Sequence, residues 1–248
     1  DTDAKDTFNV SSGTLSSSDV DAGTTAVYGV DGGTVNGTTI TKEGAYGTLT
    51  LDSSTGAYTY TPNSTVMDAL SASSSEEFIF TVSDDNPNGL STTDTKTLTI
   101  NVTAVNDTPL LGGSASTVTF TENGTSVLID SNITIDDVEG TSYDVGDLKI
   151  HNKTNAESTD TLSILNVGGI TLSGSNISYA GVLIGTIDST YNGANGKDLK
   201  INLNDDAYSS QVQALARAVA FSNASDDLSS NTRTYEIQVN DGGNSGSV

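Results

Sequence analysis

The sequence predicts an all-β protein of two tandem β-sandwiches, the second carrying one short helix, and three observations lead there. Val, Ile, Leu, Tyr and Phe recur in short alternating clusters, the period-2 pattern of half-buried strands. Turn-forming Gly, Asn, Asp and Ser separate those clusters, as expected of many short strands. Finally, Ala104-Val105-Asn106-Asp107-Thr108-Pro109 divides the clusters into two sets. Pro109 pushes Thr108 toward extended geometry and cannot donate a ladder hydrogen bond, so the strand ending at Val105 must stop. The domains are read as 1–107 and 108–248, each long enough to bury a core.

Charge narrows the function. An apolar share of 34% with a formal net charge of −23 would suggest disorder, but the alternating clusters argue for thin sandwich cores instead. Acidic residues number 32 against 9 basic, which excludes the Lys/Arg footprint that nucleic acid requires and disfavours anionic membranes. No segment approaches the roughly 20 apolar residues of a membrane span. The longest candidate, Ile177 to Ile187, is broken by Ser178, Gly181 and Gly185, so no membrane insertion is expected. There is no cysteine, which removes disulfides and thiolate chemistry together. Asp1 opens a polar, acidic stretch with no signal peptide, and both ends read as cuts through a longer chain. So much negative charge opposes compaction unless a divalent cation neutralises it; the alternative is a solvated acidic surface.

In the first half, Thr7 to Val10 and Thr14 to Val20 flank Ser11-Ser12-Gly13. In Ser18-Asp19-Val20-Asp21-Ala22-Gly23 an Asp-x-Asp pair places both carboxylates on one side of an extended segment, which suits a cation or, failing that, a polar turn. Leu49 and Leu51 face one way and Thr48 and Thr50 the other; Tyr58 and Tyr60 repeat this after the loop Asp52 to Gly56, so Tyr46 to Pro62 is a hairpin with one buried face. Val66 to Leu70 is one helical turn or a loop. Phe78, Phe80 and Val82 alternate up to Ser83-Asp84 and an acidic turn; Leu98, Ile100 and Val102 form the last strand. About seven strands result, the number of an immunoglobulin-like sandwich.

The series Ser18 to Gly23, Tyr46 to Pro62, Phe78 to Asp84 and Val105-Asn106-Asp107-Thr108-Pro109 resembles, in the same order, the VCBS repeat of giant bacterial adhesins. That resemblance covers the whole first half. It implies immunoglobulin- or cadherin-like sandwiches strung in tandem on a secreted or cell-surface bacterial protein of the RTX-adhesin kind. The partners implied are neighbouring repeats of the same chain, in a monomer; extracellular polysaccharide is the partner of the alternative reading, carbohydrate binding.

In the second half, Thr117 to Phe120 opens a set of strands, followed by Glu122 and, after Ile133 and Ile135, by Asp136-Asp137-Val138-Glu139-Gly140. The spacing of Glu122 and Asp136 echoes that of Asp6 and Asp19 and suggests a repeated architecture. Strands are read at Leu148 to Ile150, Leu162 to Val167, Ile170 to Leu172 and Leu199 to Leu203. Ser210-Gln211-Val212-Gln213 has capping-box spacing, with Val212, Leu215, Ala216 and Val219 on one face, so a helix is expected near 210–218. The closing strand runs from Tyr235 to Asp241. Thr119 to Asn123, Ile133 to Asp137 and Leu215 to Asn223 also resemble cadherin-like adhesin repeats. Mapped onto the cadherin scheme, Asn106, Asp107, Glu122 and Asp136 would contribute to a Ca²⁺ site at the junction, with Asp19, Asp21 and Asp84 on the first domain. Asp137, Glu139 and Asp241 complete the candidate ligands. Ala104 and Thr108 stand where the cadherin linker has its first Asp and last Asn, so the junction is expected to be poorer in ligands.

Catalysis is not expected. The sole histidine, His151, has no cysteine partner, and no Gly-x-Ser-x-Gly elbow is present. Glycosidase carboxylates would need a cleft with aromatic platforms, and Trp is absent. The leading reading is a calcium-rigidified extender segment mediating attachment. The alternative is a calcium-dependent carbohydrate-binding module, for which Tyr143, Tyr179, Tyr191 and Tyr208 are candidate platforms.

Overall fold

A computed structural model describes residues 8–18, 25–84, 93–113 and 115–243. The described residues form two compact units, divided between Val105 and Asn106. The division falls after Val105 because Asn106 and Asp107 bond to side chains of the second unit. Both units are built from antiparallel sheets.

The first unit contains β1 (Ser11–Thr14), β2 (Ala26–Val30), β3 (Thr34–Asn36), β4 (Thr39–Glu43), β5 (Gly47–Asp52), β6 (Ala57–Pro62), helix α1 (Ser64–Asp68), β7 (Ser74–Asp84) and β8 (Thr93–Val102). One sheet has the order β1-β6-β5-β4-β3 and the other β2-β7-β8. The expected hairpin is β5 and β6, with Leu49 opposite Tyr60 and Leu51 opposite Tyr58. Its loop is held by Asp52, whose carboxylate accepts from the Ser54 and Thr55 N–H groups at 2.9 Å each. Leu49, Leu51 and Tyr60 meet Val30, Phe78 and Phe80 in the core, and Tyr58 and Phe80 pack with ring centroids 5.0 Å apart. The first strand differs from the sequence reading: it occupies Ser11–Thr14, between the two apolar runs. Its pairing with β6 decides this, since Gly13 sits opposite Tyr58 and a Cβ there would meet the phenol oxygen at 2.5 Å. Val66 to Leu70 resolves into the end of α1, whose N-cap is Asn63.

The second unit runs β9 (Leu110–Gly112), β10 (Val127–Leu128), β11 (Thr134–Asp136), β12 (Asp147–Thr154), β13 (Asp160–Ile164), β14 (Ile170–Ser173), β15 (Asn176–Tyr179), β16 (Val182–Asn192), β17 (Leu199–Leu203), α2 (Ser209–Arg217), β18 (Val219–Asn223) and β19 (Thr234–Asn240). A six-stranded sheet, β14-β15-β16-β17-β12-β19, is accompanied by β10-β18-β13 and by the pair β11-β9. Leu148, Ile150, Leu199 and Ile201 point inward from the large sheet and meet Leu162, Val219 and the buried face of α2. Two expectations are corrected. Thr117 to Phe120 joins no strand; its Phe120 is used as a packing residue, edge-on to Phe221 at 5.3 Å. The capping box does not form, because the helix begins one residue earlier, with Tyr208 as N-cap and no side-chain cap. Ser210 instead donates to Gln211, and Gln213 accepts from the Ile135 N–H at 3.1 Å.

Candidate functional site

The second unit gathers four carboxylates where three segments of chain meet. Directly after β11 the backbone turns through Asp137 to Gly140. The Asp137 Oδ1 accepts from the Glu139 N–H at 3.1 Å, and Gly140 adopts φ 61°, a left-handed geometry that glycine takes without steric cost. Glu139 reaches the start of the unit, where its Oε1 accepts from the Asp107 N–H at 2.7 Å. The end of β19 supplies Asp241, whose Oδ2 accepts from Asn106 Nδ2 at 2.8 Å and whose Oδ1 accepts from the Gly243 N–H at 3.0 Å. Asn106 also donates to the Asp107 carbonyl at 2.9 Å.

The segments approach closely because of glycine. Gly242 has φ +85°, and a Cβ on it would lie 1.8 Å from the Asp144 carbonyl; one on Gly243 would collide with the Asn106 amide.

Burial makes this arrangement electrostatically costly. Asp107 is 2% exposed, Asp241 5% and Asp137 8%, with Glu139 half-buried. No lysine or arginine pairs with Asp137, Glu139 or Asp241 among the described residues. Asp137 Oδ2 and Glu139 Oε2 are both buried and accept from no N–H or O–H donor, so the one hydrogen bond open to them is a proton held between the two carboxyls themselves. Burial, then a hydrogen bond to Glu139, then the charges of Glu139 and Asp241 push the Asp137 carboxyl up to about 7. Asp137 therefore holds a proton well above the usual carboxylate range unless another positive charge takes that proton's place.

Of the residues expected to bind calcium, Asn106, Asp107, Asp137, Glu139 and Asp241 are thus brought together. Asp136 lies beside them, exposed on β11. Glu122 is exposed on the turn in which the Gly124 N–H donates to Thr121 and has no bond to the cluster. Asp84 ends β7 in the first unit. Asp19 and Asp21 lie outside the described residues. Among the described residues, no group of three or more His, Cys, Asp or Glu side chains stands arranged as a metal site; a hard cation here would also draw on amide and backbone carbonyl oxygens.

The four tyrosines separate clearly. Tyr143 is fully buried and bonded to Ser209, and Tyr179 packs against the core. Only Tyr191 and Tyr208, 46% and 43% exposed, present their rings. The sequence reading missed one feature near Tyr191. His151 is bonded through Nδ1 to Asp198 at 2.9 Å, beside a cleft of about 330 Å³.

Compared with protein-family models, curated proteins and solved structures, the chain matches none. No helix among the described residues is long and apolar enough to cross a membrane.

Proposed function

We propose that the chain is a pair of calcium-stiffened, cadherin-like extender repeats of the VCBS kind, part of a large secreted bacterial adhesin that mediates surface or biofilm attachment. The observation that carries this reading is the pair of buried, unpartnered oxygens on Asp137 and Glu139, in a cluster whose own charges push Asp137 up to about 7. Asp137, Glu139 and Asp241 would give carboxylate oxygens, and Asn106, whose Nδ2 is engaged by Asp241, would offer its Oδ1. A divalent cation supplies the positive charge that the side chains around these acids lack.

The residues themselves perform the mechanical task. Asn106 and Asp107 tie the start of the second unit to Asp241 and Glu139. Neutralising those acids strengthens the tie, and leaving them charged sets them against one another. Extracellular modules bind calcium at about 10⁻⁴ to 10⁻³ M, so such a site fills outside a cell and empties inside one. The test is a thermal melt and a hydrodynamic radius measured in EDTA and in millimolar calcium. Calcium should raise the melting temperature of the second unit and stiffen the chain, and identical values in both conditions would sink the proposal.

A further inference from the structure

The cleft beside Tyr191 has the features of a ligand site. It is lined by Asn152, Ala156, Thr190, Tyr191, Gly196, Lys197 and Asp198. Its wall is a register break in β16: ladder pairing to β17 is interrupted between Ile187 and Asn192, and the intervening residues fold over Asp188. The Asp188 Oδ1 accepts from the Thr190 and Tyr191 N–H groups at 2.7 and 3.0 Å. This props up the half-exposed Tyr191 ring, with the Lys149 ammonium 5.7 Å from its centroid. A bulge that re-aims a side chain in this way is a recurrent device at functional sites.

The floor is equally organised. Asp198 accepts from the Asn152 N–H at 2.9 Å, from His151 and from Lys149 at 3.1 Å. Asn152 Nδ2 donates to the Gly196 carbonyl at 3.2 Å, while its Oδ1 is left without a partner.

The charges around the cleft are unlike the rest of the chain. Of the nine Lys and Arg residues, Lys149, Lys153, Lys197 and Lys200 lie on β12, on β17 or on the loop leading to β17, beside the only histidine. Lys149, Lys153 and Lys200 are matched by Asp198, Glu236 and Asp147. Lys197, exposed at the lip, has no ion-pair partner among the described residues. The cleft thus offers one free ammonium, one aromatic face and several hydrogen-bonding groups, with Ala156 and the Tyr191 ring adding apolar surface to its wall.

We infer that this cleft binds a single uronic acid residue of an acidic polysaccharide, the Tyr191 ring stacking on the sugar's C–H face and Lys197 pairing with its carboxylate. Asp198 and Thr190 take the hydroxyls. A volume of about 330 Å³ sits at the low end of small-ligand sites, and an aromatic ring with polar surroundings fits a ligand that is flat on one face and wet at its edge. One free cation suits one carboxylate per ring. The clustered phosphate charges of a nucleotide would find one free cation too few.

The test titrates the ¹⁵N-labelled full chain with tetragalacturonate and with its methyl ester, both in EDTA so that the acid cluster plays no part. Tetragalacturonate should shift the Tyr191, Lys197 and Asp198 amides, and the ester should bind at least tenfold more weakly. Tyr191→Ala and Lys197→Gln should each raise the dissociation constant at least tenfold, while Tyr191→Phe keeps the stacking ring and stays within threefold of the parent. Absence of shifts at these amides in the unmutated chain would overturn the inference, and so would equal affinity for acid and ester. Because the titration contains no calcium, its failure is distinguishable from failure of the calcium reading.

Discussion

Replacing Asp137 by Asn removes the most strained charge in the acid cluster and should stabilise the ion-free protein. Burial, the Glu139 hydrogen bond and the charges of Glu139 and Asp241 move Asp137 from 3.8 to about 7 in the folded state. A carboxyl held above its unfolded value keeps its proton in the folded protein after the unfolded chain has lost it. Ion-free stability is therefore fully present below about pH 4 and falls as the pH rises through about 7. At about 1.4 kcal/mol per tenfold change in proton affinity, the difference bounds the loss at about 4 kcal/mol. Relaxation of the loop and entry of water offset part of that penalty, so about half of it, ~2 kcal/mol, is the expected magnitude.

For a unit of this size ~2 kcal/mol corresponds to about 4 to 8 °C. Calorimetry in EDTA between pH 5 and 8 should show the second unit melting lower as pH rises. Asp137→Asn should flatten that slope and raise the melting temperature at pH 8 by about 4 to 8 °C. Calcium at about a hundred times its dissociation constant should stabilise the unmutated chain by about 2.7 kcal/mol and the variant by much less. A flat ion-free profile for the unmutated chain, or a variant that melts lower at pH 8, would refute the reasoning.

Other perturbations probe the scaffold. Arg233 is 9% exposed in its side chain and pairs with Asp160, 2% exposed, at 3.1 Å and with Glu157 at 2.8 Å; Arg233→Ala leaves those carboxylates without their cation and should cost the second unit about 3 to 5 kcal/mol by chemical denaturation. Glu76, buried in the first unit, accepts from the Tyr60 hydroxyl and the Tyr46 N–H, so Glu76→Ala should lower the first unit's melting transition by about 2 to 3 kcal/mol and leave the second transition in place. Gly242→Ala forces a Cβ against the Asp144 carbonyl at φ +85°; it should destabilise the second unit by about 3 kcal/mol or more and weaken any calcium response.

How far the sequence foretells this arrangement depends on the range of the interaction. The alternation of Leu49 and Leu51, and of Tyr58 and Tyr60, is local and reports directly which face is buried, so the β5–β6 hairpin is legible. The helix is legible from Val212, Leu215 and Ala216, but its start is not. Ser210 and Gln213 have capping-box spacing, yet Gln213 is captured by the Ile135 N–H, 78 positions away in the chain. Thr117 to Phe120 has a strand's alternation and no ladder partner. The acids of the cluster were legible as residue types at strand ends, although that pattern did not separate Asp137 and Asp241, which come together, from Glu122, which stays exposed. The cleft was hidden for the same reason, since the break in β16 shows only once β17 sets its register.

The placement of cations separates a cluster that is merely acidic from one that demands a ligand. Where the second unit needs a buried acid neutralised by protein, it does so thoroughly: Asp160 takes Arg233 Nε and also Asn223 Nδ2 at 2.6 Å. On the outer face of the large sheet, Asp147, Asp198 and Glu236 each have a lysine. Asp137 and Asp241 are buried to a similar depth and have none among the described residues. A unit that gives buried Asp160 a cation and leaves Asp137 and Asp241 without one has two ways to hold these two at neutral pH. One is a proton on Asp137, which that carboxyl loses as pH passes about 7; the other is a cation from solution. The two make opposite predictions. A proton alone gives stability that falls with rising pH in any buffer, whereas a cation gives stability that rises with pH once calcium is present, because binding releases the proton.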